Sequence, residues 1–206
     1  FSTDGKSIVY MGVNLREIMY IDVATGQEFV LDDCEDVECG HPAVDDGLII
    51  YPATANRNER TIWQHRLGDT HKRALLNRPN VERVRPISDI HIHGNAYTWM
   101  DSSIPPDGLY YSQVGSSEVA HITDLTCVCY DQPIIGDDFI VYEGRQDGPR
   151  EIYLYEMLTG LTENLTNHRA PQFIPRYQGD WVVWIDGRND PTSDPYANKY
   201  NLDVYG

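Results

Sequence analysis

Gly179-Asp180-Trp181-Val182-Val183-Trp184-Ile185-Asp186-Gly187-Arg188 reads as a turn, a strand and a second turn. Gly179-Asp180 suits the positive φ of a tight connection. The large apolar residues after it suit a strand packed on both faces. Asp186-Gly187 then breaks the strand and opens a polar loop.

The same phrase recurs upstream. Gly136-Asp137-Asp138-Phe139-Ile140-Val141-Tyr142-Glu143-Gly144-Arg145 is the nearest copy. Gly94-Asn95-Ala96-Tyr97-Thr98-Trp99-Met100-Asp101, Asp46-Gly47-Leu48-Ile49-Ile50-Tyr51 and Asp4-Gly5-Lys6-Ser7-Ile8-Val9-Tyr10 are others. The last aromatics are Tyr10, Tyr51, Trp99, Tyr142 and Trp184, at spacings of 41, 48, 43 and 42 residues. A period of about 40–50 residues is that of a solenoid, a propeller or an array.

Around each copy, short alternating strands follow one another. After Ile8–Tyr10 come Glu17–Val23 and, past Thr25-Gly26, Gln27–Leu31. After Phe139–Tyr142 come Glu151–Glu156 and, past Thr159-Gly160, Leu161–Thr166. No stretch sustains a helical apolar period with caps. The pattern predicts an all-β chain of four-stranded antiparallel blades, a β-propeller of about five repeats. The repeats fall at about 1–40, 41–84, 85–130, 131–170 and 171–206. A four-stranded meander cannot bury both faces alone, so neighbouring blades must stack.

Two parts of the repeat carry a resemblance. Trp184-Ile185-Asp186-Gly187-Arg188 and Glu17–Asp22 with Thr25-Gly26 resemble the TolB-like propeller repeats of bacterial and archaeal cell-surface proteins. Those repeats read as a strand ending in Trp-x-Asp-x-Arg, a loop, Asp-Ile-Tyr-x-Tyr-Asp, a Thr-Gly turn and Leu-Thr. Phe1-Ser2-Thr3-Asp4-Gly5-Lys6 is similar to their Ser-Pro-Asp-Gly turn, with Thr in place of Pro. Repeat two departs from the pattern, having Pro52-Ala53 after Tyr51. The resemblance implies one propeller domain over 1–206, or part of a larger one. Relative to that repeat the chain starts after the innermost strand of its first blade and stops inside the third strand of its fifth, so both blades are expected to be incomplete. It implies architecture rather than activity, because propellers host many functions.

The chain has 206 residues and a formal net charge of −16. That balance argues against nucleic acid, which needs a basic surface, and against an anionic membrane. No apolar run approaches the roughly 18 residues of a membrane span. Four cysteines fall in two local pairs, Cys34 with Cys39 and Cys127 with Cys129. Even numbers at short separations fit an oxidising, extracellular, cell-surface or periplasmic setting. Cys34–Cys39 is the expected disulfide, while the one-residue spacer of Cys127–Cys129 strains disulfide geometry. Four thiolates around zinc are the alternative, on poorly matching spacers.

Candidate sites are few. His91 and His93 alternate along one strand and point the same way, as a metal pair or as polar channel residues. Asp186, Asn189, Asp190 and Asp194 crowd one loop and offer hard oxygens for calcium, or else satisfy local backbone donors. Arg145 and Arg188 occupy equivalent places, as clamps of the adjacent loop or as a ligand fork. Asn164-Leu165-Thr166 is a glycosylation sequon at a place the repeat itself needs.

No nucleophile motif, zinc-protease motif or phosphate-binding loop is present. The expectation is a non-catalytic binding or scaffolding module, with a protein or glycan at one face. That face would be built by Ala53–Arg60, Asp101–Gly108, Gly144–Arg150 and Gly187–Asn198, including Arg145, Asp147, Arg188, Asn189 and Asp190. The short turns of the opposite side offer little for recognition. The alternative is a carbohydrate-active enzyme, a glycosidase or polysaccharide lyase, with its site at the channel mouth.

Overall fold

The computed structural model describes residues 1–13, 16–55, 59–79, 87–102, 106–124, 133–145, 148–178, 181–189 and 203–205. Contacts divide the chain into two compact units, Phe1–Asp124 and Leu125–Gly206.

The first unit opens with the meander β1 (Ser2–Thr3), β2 (Ser7–Met11), β3 (Ile18–Asp22) and β4 (Glu28–Asp32). The second sheet has β5 (Glu38–Cys39), β6 (Ala43–Asp45), β7 (Leu48–Ala55), β8 (Glu59–Arg66) and β9 (Arg73–Arg78). The third is β10 (Ile87–His93), β11 (Ala96–Asp101), β12 (Gly108–Gln113) and β13 (Val119–Asp124). In the second unit β14 (Ile134–Ile135), β15 (Phe139–Gly144), β16 (Glu151–Glu156) and β17 (Thr162–Asn164) form one sheet. β18 (Gln172–Gln178), β19 (Trp181–Asp186) and β20 (Asp203–Tyr205) form another. All described pairings are antiparallel. The recurrent phrase is the second strand of each sheet, and first strands of successive sheets lie together: β1 meets β6, β6 meets β10, and β14 meets β18.

The turns follow from their residues. Asp46 (φ 42°) and Gly47 (φ 73°) are both left-handed, the requirement of a two-residue type I′ hairpin. In Gly94-Asn95 only Gly94 is left-handed (φ 57°), which fits type II′.

The core is cut by β7. Leu48 and Ile50 join Ile62, Ile90, Ile92, Tyr97, Trp99 and Tyr110 in one cluster. Ile49 and Tyr51 join Val9, Ile18 and the half-cystines Cys34 and Cys39 in another. Successive side chains point to opposite faces, so one apolar run feeds both interfaces of its blade. Each such buried side chain contributes about 2 kcal/mol.

Three expectations need correction. Ser2–Thr3 occupies the innermost position of the first sheet, pairing Ser2 with Val9 and Thr3 with Ile8, where the sequence suggested no strand. Thr3 Oγ1 donates to Ser7 O at 2.7 Å and closes that hairpin. Ala53–Arg60 is largely hairpin rather than loop, since β7 runs to Ala55 and β8 starts at Glu59. Pro52 is tolerated there because its carbonyl faces β5, accepting from Gly40 N at 2.8 Å, so its missing N–H falls between β5 and β6. The third concerns Trp181-Val182-Val183-Trp184, which is not packed on both faces. Trp181 is 69% exposed, and the sheet meets its described neighbour through β18. The first strand of two sheets carries a bulge. β10 shifts register between Ser88 and His91, with Asp89 left-handed, and β18 between Phe173 and Arg176, with Ile174 left-handed.

Candidate functional site

The ends of the second and outer strands are where the sheets place their polar chemistry. In the first unit, Asp101 closes β11 fully buried, and Arg78 Nε at the end of β9 lies 3.1 Å from its Oδ2. The Arg78 guanidinium also covers the Tyr110 ring at 5.6 Å. Asp32, at the end of β4, accepts from Tyr51 Oη and Lys72 Nζ, and Cys34 N donates to its Oδ1 at 3.1 Å. Burial would raise its pKa, but Lys72 and Tyr51 outweigh that and hold it below the usual carboxylate range. Burial, then the Asp32 charge, pushes the Tyr51 phenol far up, so it stays a donor.

In the second unit, Arg150 Nη1 donates to the buried Glu143 Oε1 at 2.9 Å. Asp186 is fully buried at the end of β19. Its Oδ1 accepts from Arg188 N at 2.8 Å, and its Oδ2 from Arg188 Nη2 at 2.7 Å. Burial opposes ionisation of Asp186, yet Arg188 holds it below the usual range.

The sequence-derived residues separate accordingly. Arg188 clamps its own strand end through Asp186, and Arg145 Nε donates to Gly148 O across its loop. The two equivalent arginines thus hold different partners. Asp186 of the calcium set spends both oxygens on protein donors, while Asp190 and Asp194 lie outside the described residues, as do Asp147, Cys127 and Cys129. Asn189 is exposed. Cys34 and Cys39 are disulfide-bonded, with Cα atoms 6.2 Å apart.

His91 and His93 are half-buried on β10, alternating with the buried Ile90 and Ile92, so they share a face as expected. The sequence did not reveal their neighbour. Asp45 Oδ2, from β6, lies 3.6 Å from His93 Nδ1 and accepts from Gly94 N at 2.6 Å. Among the described residues no three His, Cys, Asp or Glu side chains form a metal-ligand group. Asn164 of the sequon works inside the fold. Its Oδ1 accepts from Thr166 N and Asn167 N at 3.1 and 3.0 Å, and its Nδ2 donates to Glu151.

Two described pockets of the first unit lie on the side of the short turns. One, of about 500 Å³, is bordered by Asp4-Gly5, Val23-Ala24 and Asp46-Gly47. The other, of about 310 Å³, is bordered by Arg66, Asp69, His71, Arg73 and Val114. The sequence signal for the second was the cluster His65-Arg66 and His71-Lys72-Arg73, in a chain with only 16 Lys and Arg.

No protein-family model matches the chain, and no curated protein is significantly similar to it. Solved structures are. TolB from Acinetobacter baumannii superposes with a TM-score of 0.55 at 16% identity, over 90% of this chain and 50% of TolB. The fold is that of a TolB-like β-propeller. An oligogalacturonate lyase in complex with manganese gives a TM-score of 0.66 at 13% identity, over 100% of this chain and 60% of the lyase. A chain of a nidogen/laminin complex gives 0.56 at 12%, over 88% and 70%. The chain therefore spans half to three-fifths of the TolB and the lyase. At such identities the likeness is one of fold, and the fold carries different functions.

Proposed function

We propose that this chain is a non-catalytic propeller module that binds or scaffolds outside the cytoplasm. Its partner, a protein or a glycan, would be met at the loops between second and third strands. The observation that carries this reading is how the buried and partly buried carboxylates are used. Asp32, Asp101, Glu143 and Asp186 each face a cation. Asp32 and Asp186 are held ionised, whereas a glycosidase acid needs a carboxyl kept protonated. The strand ends are thereby made rigid, and a rigid frame displaying loops of unequal length suits recognition. The disulfide supports an oxidising compartment.

The second reading, a polysaccharide lyase, is favoured by the lyase likeness together with His91 and His93 on one face of β10 and Asp45 beside His93. Incubation with polygalacturonate and manganese separates the two. The expected result is no new reducing ends. Retention on a glycan array or on cell-envelope protein should be lost in an Arg145→Ala, Asp147→Ala, Asp190→Ala variant that melts like the parent. Arg188 is left in place, because removing it would strand the buried Asp186. New reducing ends that vanish in His91→Ala, His93→Ala would overturn the binding reading in favour of the lyase.

A further inference from the structure

The pocket of about 310 Å³ opens where the second and third sheets meet at their short turns. Its chemistry runs against the chain as a whole, which carries 32 acidic and 16 basic residues. Here Arg66, Arg73, His71 and Gln64 stand against the single carboxylate of Asp69. The register brings them together. Gln64 and Arg73 are direct partners across β8 and β9. Arg66 lies two residues along β8 from Gln64, so both leave the same face. Leu48, the partner of Arg66 on β7, and Val114, just past β12, supply apolar lining.

The two arginines also differ from others in the molecule. Arg78, Arg150 and Arg188 each meet a buried carboxylate, at 3.1, 2.9 and 2.7 Å. Even the neighbouring Lys72 is paired, with Asp32. Among the described residues Arg66 and Arg73 make no ion pair or side-chain hydrogen bond, although acids outnumber bases two to one in this chain. Two unpaired guanidinium forks at one pocket are the donor set for an oxyanion, which each can hold bidentately. The volume is at the lower end of the roughly 300–1,000 Å³ of small-molecule sites.

We propose that this pocket binds a small organic oxyanion. Its carboxylate or phosphate group sits between Arg66 and Arg73, and its less polar body lies against Leu48 and Val114. Asp69 on the same lining selects a ligand with one anionic end over a polyanion. The site is separate from the loop side of the blades and does not depend on what is bound there.

The test is thermal unfolding of the whole chain at constant ionic strength with benzoate, phenyl phosphate or chloride. Benzoate or phenyl phosphate should raise the melting temperature and saturate, and the more effective of the two identifies the oxyanion. Chloride should do nothing. Arg66→Gln with Arg73→Gln should weaken the effect about tenfold or more, the equivalent of losing one charge-assisted hydrogen bond. Both side chains are exposed, so this variant should melt like the parent without ligand. Arg169→Gln removes an exposed charge in the other unit and should leave the effect intact. The proposal is overturned if neither organic anion gives a saturable shift, if chloride matches them, if the double variant binds like the parent, or if Arg169→Gln loses as much.

Discussion

At Ile174 the backbone takes a φ of 53°, a left-handed conformation that a β-branched side chain adopts only under constraint. The residue sits in the bulge of β18 and is 39% exposed, so its side chain gains only part of what full burial would give. The matching bulge of β10 places Asp89 at φ 49°, a residue type that tolerates this region. Ile174→Asn should therefore stabilise the protein by about 1 kcal/mol, seen as a higher melting temperature. A fall of that size would mean that the Ile174 side chain contributes more than its backbone costs. Neither bulge was legible in the sequence, because a bulge depends on the partner strand and Pro175 marks an edge strand as readily as a bulge. His91 and His93 were legible, since alternation alone puts them on one face. Asp45 beside His93 was not, because it comes from another blade.

Among the elements, β5 and its disulfide show how the second sheet is held. The pairing of Cys34 with Cys39 closes the connection from β4 into that sheet, and both half-cystines lie in the core shared with Tyr51 and Val44. Asp32 ties the same corner to Tyr51 and Lys72. Opening the disulfide, by reduction or by Cys34→Ser with Cys39→Ser, should lower stability by about 2 kcal/mol on the loop-entropy estimate. Denaturant melts with and without reductant measure this, and coincident curves would show that packing alone holds the corner. The cysteine spacing announced the crosslink, whereas the extension of β7 through Pro52 was hidden. Proline argues against a central strand unless its missing N–H meets a gap, and only the split into β5 and β6 supplies one. Gly40 makes room there, since a Cβ on it would come within 2.8 Å of Pro52 Cγ.

For the molecule as a whole, the charge of −16 and the paired carboxylates act in opposite directions on acidification. Protonation relieves general repulsion, which by itself would stabilise the chain. Asp4, Asp32 and Asp186, however, have folded pKa values depressed below those of free carboxyls. A depressed folded pKa gives stability that is complete above the unfolded value, about 3.9, and lost as pH falls through the folded one. Melting temperature should therefore drop steeply below about pH 4. Asp32→Asn should melt lower than the parent at pH 7 and lose less between pH 5 and pH 3. An equal loss in both proteins would remove Asp32 from the account.

The sequence by itself determined the all-β blades, the place of each second strand, the turn residues and the first disulfide. Those features rest on local chemistry: two-residue periodicity, left-handed turn residues and cysteines close in the chain. Only the tertiary structure decided which cations meet Asp32 and Asp101, that Asp45 lies beside His93, and that Arg66 and Arg73 share a pocket with Val114. These pairings join different sheets, at separations of 40 residues for Lys72 with Asp32 and 48 for His93 with Asp45. They exist because stacked sheets bring distant strand ends together, and an open run of sequence carries no record of which neighbour a blade will meet.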